Sequence, residues 1–487
     1  MSHKAIYFFT LLFLFNSPTL HAQEFTYFNQ EISLNSSNQL SVATIPHDEG
    51  YYTVGVFSFT HSVIYFANID LEGNLISYNI LDDSPNVTVI VSGRQFIKTK
   101  DENFVLIYQK RFDPIDKNTD IVIIKFTKNG EILWEQQFGG MGLDGTGGVI
   151  QTQDDGFLIT GLLHDNNNNY IYTVKTDSKG VFEWEKNYCS HFDCNALSVD
   201  ETVDGGYILG GRVRVANNNY DMYVVKIDSL GNQEWEKNYG SDINDQSCQV
   251  YALEDGNFLL SGGIRGENNI RQNYYAKLDK EGKILWEKSY GLPNLRSIQT
   301  PLVFREDGGF IGVAIYLNEH TLPLIMNFNA EGDTLWTKPI TANPNADCYV
   351  KDIDRIEGGY VLTGYKFFPA PQHNWLVTID EEGNFCEELG CVETVVDIED
   401  VMIGGEEIFI QISPNPAHLQ ISIHYRLPTH SPTANLHLYD LQGALVREWR
   451  LKRIEQEQVL NLEGLASGVY FYQVGTQRGK LLIEHSR

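Results

Sequence analysis

The stretch that decides the fold is Asp228-Ser-Leu-Gly-Asn-Gln-Glu-Trp-Glu-Lys-Asn-Tyr-Gly240. Its tryptophan recurs along the chain, and consecutive copies are 50, 51, 51 and 50 residues apart. The copies are Trp134, Trp184, Trp235, Trp286 and Trp336. A glycine stands four residues before each of them, and Gly73 and Gly383 extend the glycine series to seven members. A repeat of about 50 residues is typical of propellers and solenoids.

A second motif, an acidic residue followed by glycine and an aromatic residue, keeps the same period. Its clearest copies are Asp155-Gly-Phe157, Asp204-Gly-Gly-Tyr207, Asp255-Gly-Asn-Phe258, Asp307-Gly-Gly-Phe310 and Glu357-Gly-Gly-Tyr360. Both motifs are turn sequences, because Asp hydrogen-bonds its own downstream backbone and Gly supplies a positive φ. Each unit therefore reads as four short strands, without the apolar spacing of a helix. The sequence predicts an all-β fold whose main part is a seven-bladed β-propeller.

The spacing Asp-x-x-Gly-x-x-x-Trp resembles the tryptophan-docking motif of quinoprotein propeller enzymes. The resemblance covers the repeat alone, and the adjacent-cysteine pair that those enzymes often carry over the cofactor is missing here. We interpret it as shared blade packing, since a large aromatic ring buries much area with few rotatable bonds. No cofactor is identified from the sequence, although calcium is a possible ligand of the acidic loops.

The beginning of the chain predicts export and ring closure. Residues 1–22 combine Lys4, an apolar run and a small-residue cleavage site before Gln23, as in a secretory signal peptide. No other apolar run is long enough to span a membrane. Phe28 then stands 23 residues before Tyr51, the spacing that separates a tryptophan from the next aromatic in the repeats. Residues 27–33 are therefore expected to form the last strand of the seventh blade, within a propeller that spans residues 23–391.

The end of the chain departs from the repeat. Residues 392–408 are interpreted as a linker, and residues 409–487 alternate in short strands that predict a small antiparallel, immunoglobulin-like β-sandwich. Four motifs follow one another in this tail: Pro-Asn-Pro-Ala, Tyr-Asp-Leu-Gln-Gly, Leu-Ala-Ser-Gly-Val-Tyr and a final Lys-Leu-Leu-Ile. Their defining residues are Pro414, Asn415, Pro416, Tyr439, Asp440, Gly443, Gly468, Val469, Tyr470 and Lys480.

These four ordered motifs resemble the type A C-terminal sorting domain of the bacterial type IX secretion system. The resemblance implies export across the inner membrane by the signal peptide and passage across the outer membrane guided by the tail. The type IX machinery is thus an implied partner. The implied location is the extracellular medium or the outer cell surface.

The charge is distributed unevenly between body and tail. The chain has a formal net charge of −28, while residues 409–487 contain 8 basic and 6 acidic residues, so the rest of the chain carries −30. A body this acidic repels nucleic acid and anionic membranes. Nucleic acid is therefore excluded as a partner.

Six cysteines in an exported chain permit several disulfide pairings. Cys189 and Cys194 are close in sequence, as are Cys386 and Cys391, and each pair is a disulfide candidate. Cys248 and Cys348 fall in different, non-adjacent blades and are expected to be unpaired.

Candidate binding residues belong to the loops of variable length, because variable loops on a rigid scaffold usually carry binding. The candidate ligand-binding residues are His164, Asp165, Arg212, Arg214, Arg265, His320 and His373. The candidate calcium ligands are Asp144, Asp242, Asp245 and Asp347, since calcium takes several oxygen ligands. No linear catalytic motif is present, and no catalytic residue is predicted.

Three functions remain open from the sequence. The first is a secreted or cell-surface binding or adhesion protein whose ligand is a glycan or a protein. The second is an extracellular propeller enzyme that acts on polysaccharide or uses a quinone cofactor. The third is an envelope scaffold without a small ligand, and fold alone does not choose among them.

Overall fold

The computed structural model describes only part of the chain. The described residues are 27, 29–32, 38–58, 62–83, 93–111, 118–140, 142–165, 168–189, 193–216, 219–265, 270–291, 296–317, 321–340, 347–367, 373–387, 390–391, 409–413, 417–426, 433–440, 445–452, 457–474 and 477–483. The predicted signal peptide, the predicted linker and Pro414-Asn-Pro416 lie outside these ranges. Within them the regular structure is β-strand, apart from one 3-10 turn at Gly93–Gln95.

The first part of the body, after strand β1 (Asn29–Ile32), forms four antiparallel sheets of four strands each. Sheet 1 contains β2 (Asn38–His47), β3 (Gly50–Ser58), β4 (Ser62–Asp70) and β5 (Leu75–Asp82). Sheet 2 contains β6 (Phe96–Lys98), β7 (Phe104–Arg111), β8 (Thr119–Phe126) and β9 (Ile132–Phe138). Sheet 3 contains β10 (Gly145–Gln151), β11 (Phe157–Asp165), β12 (Asn168–Thr176) and β13 (Phe182–Tyr188). Sheet 4 contains β14 (Cys194–Glu201), β15 (Tyr207–Ala216), β16 (Asn219–Ile227) and β17 (Gln233–Tyr239).

Three further four-stranded sheets complete the body. Sheet 5 contains β18 (Gln249–Ala252), β19 (Phe258–Arg265), β20 (Arg271–Leu278) and β21 (Ile284–Tyr290). Sheet 6 contains β22 (Arg296–Phe304), β23 (Phe310–Leu317), β24 (Thr321–Phe328) and β25 (Thr334–Pro339). Sheet 7 contains β26 (Asp347–Ile356), β27 (Gly359–Phe367), β28 (His373–Asp380) and β1. The prediction of an all-β fold with four strands per repeat is confirmed.

Strand β1 comes from the start of the chain but pairs with the end of the body. Its residues Asn29–Ile32 lie antiparallel to β28, with Glu31 opposite Trp375. Just before it, the Tyr27 hydroxyl donates a hydrogen bond to Asp380 Oδ2 at 2.6 Å. Without β1, the backbone of β28 would present an unpaired edge, which favours aggregation.

Each sheet packs on the next, and the last packs on the first. Buried clusters join sheets 1 and 2, 2 and 3, 3 and 4, 4 and 5, 5 and 6, and 6 and 7. A seventh cluster joins Val361 and Leu376 of sheet 7 to Tyr51 and Ile69 of sheet 1. The hydrophobic core is therefore a series of layers between neighbouring sheets rather than one central mass.

The repeated tryptophan and glycine meet across these layers. A Cβ atom added to Gly282 would lie 2.9 Å from the ring of Trp235, which belongs to the preceding sheet. Gly180, Gly231, Gly332 and Gly383 lie in the same way against Trp134, Trp184, Trp286 and Trp336. These glycines also have φ near +75°, a region that favours glycine. The Tyr239 hydroxyl adds a hydrogen bond to the Gly282 carbonyl at 2.6 Å.

The first strands of the sheets meet at the 3-10 turn before β6. The Arg94 guanidinium donates to the carbonyl oxygens of Val199 on β14, at 3.2 Å, and of Val250 on β18, at 3.3 Å. Gln95 donates to the Gly147 carbonyl on β10 at 3.2 Å. The turn also contacts β2 and β26. It therefore occupies the axis around which the first strands are arranged.

The tail is built of separate short strands. A two-stranded ribbon, β29 (Cys386–Glu387) and β30 (Gly390–Cys391), follows sheet 7. Three strands form one sheet in the order β31 (Phe409–Ser413), β32 (Gln420–Arg426), β35 (Glu457–Asn461). Four strands form another in the order β34 (Leu445–Lys452), β33 (Thr433–Tyr439), β36 (Gly468–Val474), β37 (Gln477–Ile483). Residues of both sheets share one buried cluster.

Deleting residues 23–34 should lower the melting temperature of the protein clearly, because it removes β1 and the Tyr27–Asp380 hydrogen bond. Differential scanning calorimetry of the mature chain measures the change. Deletion of residues 23–26 alone is the control and should leave the transition in place. An unchanged melting curve for the longer deletion would show that β1 does not stabilise the body.

Substituting Gly282 by alanine should destabilise the protein by about 2–4 kcal/mol, since it combines a positive φ with overlap against Trp235. Gly205→Ala is the matched control, because Gly205 has φ +80° and nothing within 4 Å of an added Cβ. The control should lose only about 1 kcal/mol for the backbone. Chemical denaturation compares the two, and equal losses would mean that the tryptophan contact contributes nothing.

Candidate functional site

The described ligand-binding candidates lie at or near the ends of strands that border the variable loops. His164 and Asp165 end β11, Arg212 and Arg214 lie on β15, and Arg265 ends β19. His373 begins β28, whereas His320 lies outside the described residues. These residues come from sheets 3, 4, 5 and 7, so the structure does not bring them together as one group.

A pocket of about 400 Å³ lies between sheets 4 and 5. Its lining consists of Leu197, Arg212, Tyr220, Asn244, Asp245, Gln246, Ser247, Cys248, Gln249 and Arg271. Two predicted residues, Arg212 and Asp245, are among them. Apart from Leu197 and Cys248, every lining side chain is polar or amphipathic, which is the composition of a site for a polar ligand.

Arg212 and Tyr220 form one wall of this pocket. The Arg212 guanidinium carbon lies 4.7 Å from the centroid of the Tyr220 ring, which is a cation–π contact. The Tyr220 hydroxyl donates to Asp193 Oδ2, and Asn169 Nδ2 donates to Asp193 Oδ1 at 2.7 Å. Although burial opposes it, these hydrogen bonds and the nearby arginines lower the pKa of Asp193. Asp193 therefore stays charged and fixes the tyrosine that supports Arg212.

Arg214 takes part in this network but not in the pocket lining. Its Nε lies 3.5 Å from Asp193 Oδ2, and its backbone NH donates to the Asp193 carbonyl at 3.1 Å. Its side chain thus serves as a counter-ion to Asp193.

The opposite wall is the loop before β18, which Asp245 organises. Asp245 is buried, and its carboxylate accepts the backbone NH of Ser241 at 2.5 Å and of Arg265 at 2.8 Å. Arg265 Nε donates to the Asn244 carbonyl at 2.6 Å. Arg265 thus holds the loop in place rather than lining the pocket.

The floor contains the buried thiol of Cys248. Its Sγ donates to the Gly211 carbonyl at 3.3 Å, and burial raises its pKa to about 12. Such a thiol stays protonated and is a packing group, not a nucleophile.

The other predicted calcium ligands have partners of their own. Asp144 is fully buried and accepts the backbone NH of His164 at 2.9 Å. Asp347 Oδ1 accepts the backbone NH of Thr321 at 2.5 Å, and Asp242 is exposed. In the described ranges no three His, Cys, Asp or Glu side chains come together as a metal site. Calcium binding by Asp144, Asp242, Asp245 and Asp347 stays a prediction.

A second group of charged side chains surrounds the axis. Arg94 stacks on Tyr251, with 3.9 Å from the guanidinium carbon to the ring centroid. Its charge acts on Asp200 and Asp352, although burial dominates and raises the pKa of both, that of Asp352 to about 7. Burial likewise raises the pKa of Asp354, two residues further along β26. Sequence reasoning missed this group because its members come from three repeats: Arg94 precedes a first strand, and the three aspartates lie on first strands.

The cysteines are placed as follows. Cys189 and Cys194 form a disulfide with 6.3 Å between their Cα atoms. Cys386 and Cys391 lie opposite each other in the ribbon β29–β30, and their disulfide stays a prediction. Cys248 and Cys348 are buried thiols outside any disulfide.

Comparison with protein families assigns the tail. Residues 411–484 match the family described as secretion system C-terminal sorting domain. The described sorting residues Tyr439, Asp440, Gly468, Val469, Tyr470 and Lys480 all fall inside the match, whereas Gly443 lies outside the described residues. No curated protein matches the chain. The prediction of a type IX sorting domain is confirmed, and with it secretion to the cell surface or the extracellular space.

Solved structures resemble the body. A polysaccharide lyase described as an ulvan lyase of family PL25 superposes with TM-score 0.50 and 8% identity, over 72% of this chain and 96% of that one. The β-propeller domain of a Pyrococcus furiosus protease superposes with TM-score 0.39 and 10% identity, over 69% of this chain and 97% of that one. The Neurospora crassa Pan2 WD40 domain superposes with TM-score 0.41 and 10% identity, over 70% of this chain and 96% of that one. Sequence identities this low indicate a shared fold only. The body is a β-propeller, and the whole is an exported propeller protein with a type IX sorting tail.

In the described part of the chain, no helix is long and apolar enough to cross a membrane.

Proposed function

We propose that this protein is a binding protein of the outer cell surface or its surroundings, and that its ligand is an anionic polysaccharide. The observation that carries the proposal is the pocket between sheets 4 and 5, where two arginines meet planar polar side chains. The chain outside residues 409–487 carries a net charge of −30. A pair of arginines at one pocket in so acidic a body favours a ligand with negative groups.

The lining chemistry suits sugar acids. A guanidinium binds carboxylate or sulfate oxygens through two parallel hydrogen bonds, so Arg212 and Arg271 provide the charge recognition. The amide groups of Gln246 and Gln249 and the Ser247 hydroxyl are donors and acceptors suited to sugar hydroxyls. A volume of about 400 Å³ falls in the usual range for small-ligand sites and accommodates one or two sugar units.

Replacing Arg212 or Arg271 by alanine should weaken binding of an acidic polysaccharide about 10- to 100-fold, because each removes a charge-assisted hydrogen bond. Arg214→Ala is the matched control, since Arg214 lies on the same strand as Arg212 but outside the lining. A glycan array selects the probe, and titration calorimetry measures the dissociation constants.

The array result decides between ligand classes. Binding confined to uronate or sulfated glycans supports the proposal. Silence against every glycan, followed by capture of a defined surface protein through the same arginines, would replace the polysaccharide by a protein ligand. Equal losses in all three variants would move the site away from the pocket.

The architecture that presents this pocket is proposed to be a closed seven-bladed ring. The packing of sheet 7 on sheet 1 and the pairing of β1 with β28 support it. The proposed domains are a signal peptide at 1–22, the propeller at 23–391, a linker at 392–408 and an immunoglobulin-like sandwich at 409–487. The buried cluster that the two tail sheets share supports the sandwich.

A second candidate is a polysaccharide-cleaving enzyme, which the axial carboxylates favour. Asp352 and Asp354 are two residues apart on a regular stretch of β26, so both side chains project to the same face of the strand. Two carboxyl groups at roughly 6.5–9.5 Å, one of them protonated near neutral pH, are the apparatus of an inverting glycosidase. Their raised pKa values fit the acid of such a pair.

Turnover separates this candidate from the first. The purified mature chain should release reducing ends from the polysaccharides that it binds, and Asp352→Asn or Asp354→Asn should abolish release with binding retained. Asp200→Asn is the control for general loss of charge at the axis. Binding without release at any pH between 4 and 8 would reject the enzyme.

A further inference from the structure

Two junctions between sheets carry the same set of polar residues. Junction A, between sheets 2 and 3, contains Asn118, Asp120, Gln137, Gly139 and Asp144. Junction B, between sheets 4 and 5, contains Asn219, Asp221, Asn238, Gly240 and Asp245. Every member of junction B lies 101 residues after its counterpart, which is two repeats along the chain.

At junction A two carboxylates face each other. Asp120 Oδ2 accepts a hydrogen bond from the Gln137 amide, while Asp120 Oδ1 is shielded from solvent and accepts none from the protein. Asp144 accepts the backbone NH of Gly140 at 2.5 Å and that of His164 at 2.9 Å. Asp120 is 7% exposed and Asp144 is fully buried.

Junction B repeats this geometry. Asp221 Oδ2 accepts from Asn238 Nδ2 at 2.5 Å, and Asp221 Oδ1 again accepts no hydrogen bond from the protein. Asp245 accepts the backbone NH of Ser241 and of Arg265. Asp221 is 7% exposed and Asp245 4%. The same carboxylate oxygen lacks a hydrogen bond in two separate repeats, so this arrangement is a recurrent feature of the fold.

The glycines show how close the carboxylates are. A Cβ added to Gly139 would lie 2.6 Å from both Asp120 Oδ1 and Asp144 Oδ2, so these oxygens are at most twice that distance apart. A Cβ added to Gly240 would lie 2.5 Å from Asp245 Oδ2 and 3.2 Å from Asp221 Oδ1. Burial raises the pKa of all four aspartates, and two carboxylates at this separation repel each other unless a cation lies between them or they share a proton.

No side chain forms a salt bridge with either carboxylate pair in the described part of the chain. None of the four aspartates forms an ion pair there with lysine, arginine or histidine. The backbone NH groups of His164 and Arg265 donate to Asp144 and Asp245, and the charges of these two side chains act against the burial that raises the pKa of both aspartates.

The intervening junction, between sheets 3 and 4, shows the alternative. Tyr170 occupies the position of Asp120 and Asp221, and Cys194 occupies that of Asp144 and Asp245, directly after Asp193. Asp193 is a single acid, and it has Arg214 at 3.5 Å together with hydrogen bonds from Tyr220 and Asn169. Where the second acid is absent, a protein cation is present.

We propose that junctions A and B each bind one divalent cation, of which calcium fits best, between the paired carboxylates. Asn118 and Asn219 supply a further oxygen, since each lies two residues before the first aspartate, Asn118 directly ahead of β8 and Asn219 at the start of β16. Both Oδ1 atoms are buried without a hydrogen bond, while the Asn118 amide nitrogen donates to the Gly140 carbonyl at 3.1 Å. Carboxylate and amide oxygens are the ligands that calcium prefers, and water completes its shell of 6–8.

The two cations fasten adjacent sheets. At both junctions the ligands come from the third strand of one sheet and from the loop that leads into the next. At junction B the cation also sets the wall of the pocket, because Asp245 lines it. This proposal does not rest on polysaccharide binding, since junction A lies outside that pocket.

Calcium titration of the chelator-treated mature chain tests the proposal. Calorimetry should show two sites per chain, and saturating calcium should raise the melting temperature. Asp120→Asn and Asp221→Asn should each reduce the stoichiometry to one, and the double variant should bind none. Asp193→Asn is the matched control and should retain two sites.

Three results would overturn the proposal. The first is that the wild-type chain takes up no calcium, and the second is that the two variants retain two sites. The third is that the stability of the wild-type chain rises with added acid but not with calcium, as expected for a proton shared by each pair. Circular dichroism establishes that each variant is folded. If a variant is unfolded, the number of calcium ions bound by the wild-type chain alone decides whether the proposal holds. Arg212→Ala should bind calcium normally, so it separates calcium binding from binding of the pocket's ligand.

Discussion

The body depends on one contact repeated from sheet to sheet, the indole ring of each tryptophan against the glycine of the next Asp-x-x-Gly turn. No other residue satisfies both demands at that glycine, because its φ is positive and a Cβ would overlap the ring, as at Gly282 and Trp235. The turn is closed by Asp279, whose side chain accepts two backbone NH groups. The same few residues thus form the turn and pack one sheet on the next, which explains why the motif keeps its spacing.

Sequence reasoning identified the periodic elements well. The glycine and tryptophan series predict sheets of four strands, and the aromatic spacing before Tyr51 places the N-terminal strand correctly. The site was harder to predict. Arg212 and Asp245 were named, but Arg271, Gln246 and the axial carboxylates were not, since their meeting depends on how neighbouring sheets pack. Asp120 and Asp221 also escaped notice, because strand acids look like solvated residues until their burial is seen.

The two faces of the body differ in the kind of connection between strands that they carry. One face consists of short turns whose side chains satisfy their own backbone, as Asp228 does with the NH groups of Leu230 and Asn232. The other face consists of loops whose acids hold neighbouring loops, as Asp193 and Asp245 do. Regularity on the first face leaves the second free to vary, so differences between repeats become sites, such as the paired acids at junctions A and B and the single acid Asp193 at the junction between them.

The pairing of β1 with β28 has a consequence for the order of events during export. The two strands lie at opposite ends of the body, so their contact has a very large sequence separation and forms late in folding. A chain that crosses the inner membrane from its N-terminus presents β1 first and must keep it unpaired until β28 has emerged. Strand β1 therefore stays without its partner until the residues up to Asp380 have followed it, and the sorting tail comes after them in sequence.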